Sequence, residues 1–105
     1  MQQWTPTELA EHLHQKHKEM LILDVREPWE YEIAHIEGST LIPLGWLAAK
    51  YATLDQSQPI VVVCHHGIRS AHACYYLERN GFRVINLIGG IDRWARDVDH
   101  TMPIY

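Results

Sequence analysis

The chain is poor in cysteine, with two in 105 residues, and it has a single phenylalanine. Two cysteines in a chain of this class do not make a disulfide scaffold, and a structural disulfide is not expected. Positive charge is in deficit: 9 Lys and Arg stand against 13 Asp and Glu, a formal net charge of −4. No basic stripe interrupts that balance, which argues against nucleic acid as a partner. No apolar run is long enough to span a bilayer, so no membrane partner is expected either. The opening Met1-Gln2-Gln3-Trp4-Thr5-Pro6 lacks a charged n-region and an apolar h-region. No signal peptide is read there, and the cytoplasm is the expected compartment. Repeats, linkers and low-complexity segments are also missing. Hydrophobic residues nevertheless make up 47%, so the chain can fold, and residues 1–105 suit one domain with one core.

Spaced pairs of metal ligands are absent as well. His65 and His66 are adjacent and point in different directions, and no second pair has convincing spacing. His12, His14 and His17 read as the decoration of an exposed helix. Neither a metal nor another cofactor is expected.

What is present is an alternation of short apolar runs with helical patterns. Thr5-Pro6-Thr7-Glu8 reads as a helix start, with Thr5 as N-cap and Pro6 in the first turn, and the helix is expected to run to about His17. Met20 to Val25 is a continuous apolar run, the mark of a strand buried on both faces. A polar, aromatic-bearing loop from Arg26 to Ser39 follows, then a brief strand from Thr40 to Pro43. Gly45 to Leu54 reads as a helix that turns Leu47, Tyr51 and Leu54 to one face. Ile60–Val63 is a strand, Ser70 to Asn80 a helix closed by Asn80-Gly81, Arg83 to Ile88 a strand, and Ile91 to about Val98 the last helix after a Gly89-Gly90 turn. This order predicts an α/β fold, with a mostly parallel central sheet of about five strands and helices on both faces. Sites in such sheets lie beyond the carboxyl ends of the strands. The residues after Val25, the Cys64 loop and the Gly89-Gly90 turn converge there.

The informative stretch is Val61-Val62-Val63-Cys64-His65-His66-Gly67-Ile68-Arg69-Ser70. It ends a buried strand in a cysteine, at a loop that leads into a helix. Backbone N–H groups in such a loop point at an entering anion, and the helix dipole and Arg69 both favour thiolate over thiol. Gly67 lets the backbone curl, Ser70 is expected to cap the helix, and His65 or His66 could tune the thiolate as an imidazolium. Cysteine phosphatases place five residues between cysteine and arginine. Here four intervene, and the smaller loop suits a sulfur atom on the cysteine better than a phosphoryl group. Cys74 lies among Ala71, Ala73 and Leu77 and reads as core. Trp29, Trp46 and Trp94 are expected to pack, Trp94 in the core, with a place at the rim of the site left open for Trp46. Two readings stay open for Asp24 and Arg26: they organise the mouth of the cysteine loop, or they are a turn cap and a solvated charge.

Four segments resemble, in order, those of the rhodanese domain, the single-domain thiosulfate sulfurtransferase type. They are Leu23-Asp24-Val25-Arg26-Glu27, Trp29 to Ser39 (E-aromatic-x-x-G-H-I-x-G-A), Cys64 to Ser70 (C-x-x-G-x-R-S) and Leu87 to Trp94 (L-x-G-G-x-x-x-W). Ala34 departs from the family's usual glycine, which suggests a different loop path there, and His65 stands where arginine is frequent. The resemblance implies sulfur transfer through a persulfide on Cys64. His65, His66, Gly67, Ile68, Arg69 and Ser70 would hold it, supported by Asp24, Arg26 and His35. Sulfur would come from thiosulfate or a similar donor and go to cyanide, a thiol or a thiol acceptor protein. A sulfur carrier or a regulatory protein-binding module of the same fold is the alternative. A cysteine phosphatase or arsenate reductase is a weaker one.

Overall fold

The computed structural model describes residues 1–15 and 19–105. Five strands form one sheet: β1 (Gln2–Trp4), β2 (Leu21–Asp24), β3 (Thr40–Leu41), β4 (Ile60–Val63) and β5 (Val84–Leu87). All neighbours pair in parallel, in the order β1-β5-β4-β2-β3. The helices are α1 (Pro6–His14), α2 (Pro28–Ile33), α3 (Leu47–Lys50), α4 (Ile68–Arg79) and α5 (Gly90–Asp97).

Side chains on β4 alternate between two cores. Val61 and Val63 face one core, which α1 and α5 close with Leu9, Ile91, Trp94 and Ala95. Ile60 and Val62 face the other, which α3 and α4 close with Leu47, Ala73, Cys74 and Leu77. Every β4 residue is fully buried, as expected of a central parallel strand covered on both faces. Trp94 and Cys74 lie in the core as the sequence suggests.

Thr5 caps α1 in a reciprocal box with Glu8, each side chain accepting from the other's backbone N–H. α1 ends at His14 with Gln15 as its C-cap, and the helix end expected at about His17 lies outside the described residues. β1 is a strand that the sequence reading did not locate. Gln2 and Gln3 are exposed, and this edge strand is defined by its pairing with Ile85 to Leu87 rather than by apolar pattern. The stretch from Arg26 to Ser39 is not all loop. Pro28 opens α2, whose first turn closes when the Glu27 N–H donates to Glu30 Oε1 at 3.0 Å. The single helix expected over 45–54 is instead a short α3 between 3-10 turns at Leu44–Trp46 and Tyr51–Thr53. Its inward face is as expected: Leu47 is buried, and Tyr51 and Leu54 pack on the same core.

Candidate active site at the end of β4

Cys64 follows β4 directly and is 1% exposed. The loop turns back on it so that the Gly67 N–H donates to Sγ at 3.0 Å. Gly67 makes this possible with φ +102, and it is also the N-cap of α4. A side chain there would be strained in the left-handed region and pressed against the Gly89 backbone. Ser70 therefore does not cap the helix as expected. It sits within the first turn, fully buried, with Cys64 Sγ 3.3 Å from its Oγ. Its hydroxyl donates to Asn86 Oδ1 at 2.5 Å, and the Asn86 amide in turn donates to Gly67 O. Asn86, a buried polar residue in the middle of β5, thus ties the cysteine's neighbours to the sheet.

A second tie comes from α5. Ile91 and Asp92 donate their N–H groups to the carbonyls of Cys64 and His65 at 2.8 and 3.1 Å. The approach is so close that a Cβ on Gly90 would strike the carbonyl groups of Cys64 and His65. The Gly89-Gly90 pair is what allows α5 to clamp the loop.

Arg69 is not a free cation facing the loop. It forms a two-pronged pair with Glu30, at 2.6 and 2.9 Å. Glu30 also accepts from the Tyr105 hydroxyl at 2.8 Å, and that hydroxyl accepts from Arg26 Nη1 at 2.7 Å. Arg26 is fully buried. It meets Asp24 at 2.7 Å through Nη2 and at 2.9 Å through Nε, and it donates to the carbonyls of Glu30 and Ala34. Of the two readings left open for this pair, the solvated one is excluded. Asp24 and Arg26 shape the α2 segment, and α2 carries the partner of Arg69. Among the described residues no buried side-chain nitrogen or oxygen lacks a hydrogen-bond partner.

His35 is exposed. It stacks on Tyr31 at 3.9 Å and bonds the Tyr31 carbonyl, contacts that lie within its own segment. Ala34, at φ −166, is in extended backbone open to any residue, so its methyl group forces no departure there. Trp29 and Trp46 are not packed as expected: they are 59% and 62% exposed. Trp46 does not rim the cysteine loop. It lines a separate groove of about 660 Å³ with Glu27, Pro28, Ile42, Pro43 and Lys50. Ile68, 70% exposed, points away from the core.

The sequence reading missed Glu30, Asn86 and Tyr105 as members of this network. Glu30 had a signal, since it is the acidic residue of the E-aromatic segment. Asn86 was a polar residue inside an apolar strand pattern. Tyr105 gave none: its ring stacks on His65 at 4.0 Å, and its carbonyl bonds His65 Nε2, across forty positions of chain.

Charges follow from these contacts. The Arg69 guanidinium holds the Glu30 carboxyl down to about 2 against the opposing effect of burial, with further help from the Glu27 N–H and the Tyr105 hydroxyl. Burial pushes the Tyr105 hydroxyl up to about 12. Burial, then neighbouring His66, lowers His65, which works against an imidazolium at that position. Burial lifts the Cys74 thiol to about 12, so it stays protonated near neutral pH.

A pH dependence of stability follows. Glu30 is lower in the fold, at about 2, than its ordinary 4.5. Its contribution is complete above pH 4.5 and is lost as pH falls through about 2. Arg69 is 35% exposed on its side chain, so solvent screening leaves on the order of 2–3 kcal/mol. Urea unfolding of wild type and Glu30→Gln between pH 7 and pH 2 checks this. The variant should be less stable at pH 7 by about that amount and should converge on wild type in acid. Parallel curves would remove Glu30 as the source.

A family model for the rhodanese-like domain matches residues 5–97. The chain belongs to the rhodanese-like domain family. A curated sulfurtransferase of Allochromatium vinosum is 34% identical over 88 residues, covering 83% of this chain and 79% of that protein. The probable adenylyltransferase/sulfurtransferase MoeZ of Mycobacterium tuberculosis is 36% identical over 104 residues, 96% of this chain but 26% of MoeZ. The chain therefore spans about a quarter of that larger relative. Among solved structures, a rhodanese-like domain protein of Staphylococcus aureus superposes with a TM-score of 0.86 at 30% identity, covering 100% of this chain and 99% of that one. A rhodanese-related protein of Thermoplasma volcanium gives 0.86 at 32%, covering 93% and 94%. The parallel α/β architecture is thus that of rhodanese-like proteins, and sulfurtransferases are among the relatives. Among the described residues, no helix is long and apolar enough to cross a membrane.

Proposed function

We propose that residues 1–105 act as one cytoplasmic sulfurtransferase domain that carries sulfane sulfur on Cys64. The observation that supports this most directly is the Gly67 N–H aimed at Sγ from 3.0 Å, in a loop with four residues between cysteine and arginine. The Cys64 thiolate attacks the outer sulfur of thiosulfate. A sulfur–sulfur bond forms at Cys64, the donor's sulfur–sulfur bond breaks, and sulfite leaves with the bonding pair. The resulting persulfide, Cys64–S–S⁻, keeps the negative charge within the loop, where N–H dipoles offset it. A thiophilic acceptor then attacks the outer sulfur. Cyanide leaves as thiocyanate, a thiol leaves as a persulfide, and Cys64 returns as thiolate. Covalent storage divides one transfer into two displacements.

His65, His66, Gly67, Ile68, Arg69 and Ser70 wrap the stored sulfur in this reading. Asp24 and Arg26 act at one remove, by fixing the Glu30 that holds Arg69. The same persulfide could instead be relayed to an acceptor protein. That reading draws support from a Bacillus subtilis relative bearing a sulfur-carrier name, 43% identical over 75 residues.

Intact mass spectrometry after incubation with thiosulfate tests the proposal. The protein should gain one sulfur atom, mapped to the Cys64 peptide, and cyanide should remove it. No gain from thiosulfate or any other sulfane donor would sink the reading.

A further inference from the structure

We propose that His65, His66 and Asp92 form a binding site for a divalent transition-metal ion of the borderline class, such as zinc(II). One ligand-type atom from each of the three lies within 4.8 Å of the other two. Metal bonds to imidazole nitrogen and carboxylate oxygen are about 2.0–2.2 Å, so ligand atoms on one tetrahedral ion stand about 3.4 Å apart. Closing the remaining gap falls to side-chain rotation, for which exposed His66 has room. Among the described residues no other three His, Cys, Asp or Glu side chains come together in this way.

The backbone already holds the group in place. The Ile91 N–H to Cys64 carbonyl bond and the Asp92 N–H to His65 carbonyl bond dock the start of α5 on the loop. Asp92 is thereby brought beside the histidine pair. The sequence offered no such third partner, because spacing alone does not relate α5 to residues 65 and 66.

Two orienting contacts complete the site. His65 Nε2 lies 2.9 Å from the Tyr105 carbonyl. A carbonyl only accepts, so Nε2 carries the proton and Nδ1 keeps the lone pair. An imidazole fixed through its other nitrogen by a carbonyl is the usual support of a metal-binding histidine. Asp92 Oδ2 accepts from Arg96 Nε at 3.1 Å, which orients the carboxylate. His66 is exposed and adaptable. Two imidazoles and one carboxylate suit zinc, copper or nickel better than calcium or magnesium, and they leave a position for water. The site does not depend on the proposed sulfur transfer.

Zinc(II) affinity, measured by competition with a chromophoric chelator, tests the site on the whole chain alongside the cobalt(II) absorption spectrum. The wild type should bind one equivalent. His66→Ala and Asp92→Asn should each weaken binding by about 10-fold or more. Arg96→Ala, by freeing the carboxylate that Arg96 orients, should weaken binding less, by about 2- to 5-fold, with the urea midpoint unchanged to show that the fold is intact. Cobalt should show d–d bands without a thiolate charge-transfer band. Affinity unchanged in both His66→Ala and Asp92→Asn would overturn the proposal. So would a charge-transfer band that vanishes in Cys64→Ala, because it would assign the metal to the thiol.

Discussion

Cys64→Ala is expected to abolish sulfur loading and turnover, a loss on the order of 10⁶-fold, the scale seen when a covalent nucleophile is deleted. The chain makes this a clean experiment because it has only two thiols. Cys74 is fully buried and its thiol is raised to about 12. It cannot supply thiolate in the place of Cys64, so Cys74→Ala should load sulfur as the wild type does. Cys64→Ser tests the same point with a near-isosteric side chain. Its hydroxyl can accept the Gly67 N–H as sulfur does, yet it is too weak a nucleophile to open the sulfur–sulfur bond of the donor. Loading by either Cys64 variant, read by intact mass, would move the chemistry away from this loop and leave the Gly67 contact as mere packing.

The cysteine loop was legible in the sequence because its signals are local. An apolar strand, a cysteine, a glycine and an arginine follow one another within ten positions, and β4, Cys64 and α4 fall where that order puts them. The supporting network was less legible because its bonds cross the chain. Arg69 meets Glu30 from α2, and Ser70 meets Asn86 from β5. Ser70 shows how local reasoning fails here. A serine near a helix start is a reasonable cap, but Gly67 already occupies that position with φ +102, and the serine hydroxyl is turned inward. β1 was hidden for a related reason. Its edge position relaxes the demand for apolar residues, so Gln2 and Gln3 carry no strand signal. α2 was missed although its signals were local: Pro28 at the first turn and Glu30 as the reciprocal cap were read as loop residues.

Arg26→Met should cost about 3–5 kcal/mol of stability, the scale set by stripping one partner from a buried ion pair. Both side chains of the pair are essentially inaccessible, at 0% and 1% exposed. Methionine fills much of the space but leaves the Asp24 carboxylate without its counter-charge, and the carbonyls of Glu30 and Ala34 lose their donor. A purely electrostatic cause makes a further demand. Asp24→Asn added to Arg26→Met removes the stranded charge, so the double variant should be more stable than Arg26→Met alone. Recovery should be partial, because the Glu30 and Ala34 carbonyls and the Tyr105 hydroxyl each lack the Arg26 donor in both. Urea midpoints at pH 7 give the comparison. An Arg26→Met cost below about 1 kcal/mol would mean that water or a neighbour replaces the guanidinium readily. Sulfur loading supplies the link to function. If Arg26 acts by setting Glu30 against Arg69, the folded variant should load more slowly while still labelling Cys64. A folded variant that loads at the wild-type rate would separate the buried pair from the chemistry and leave it a purely structural role.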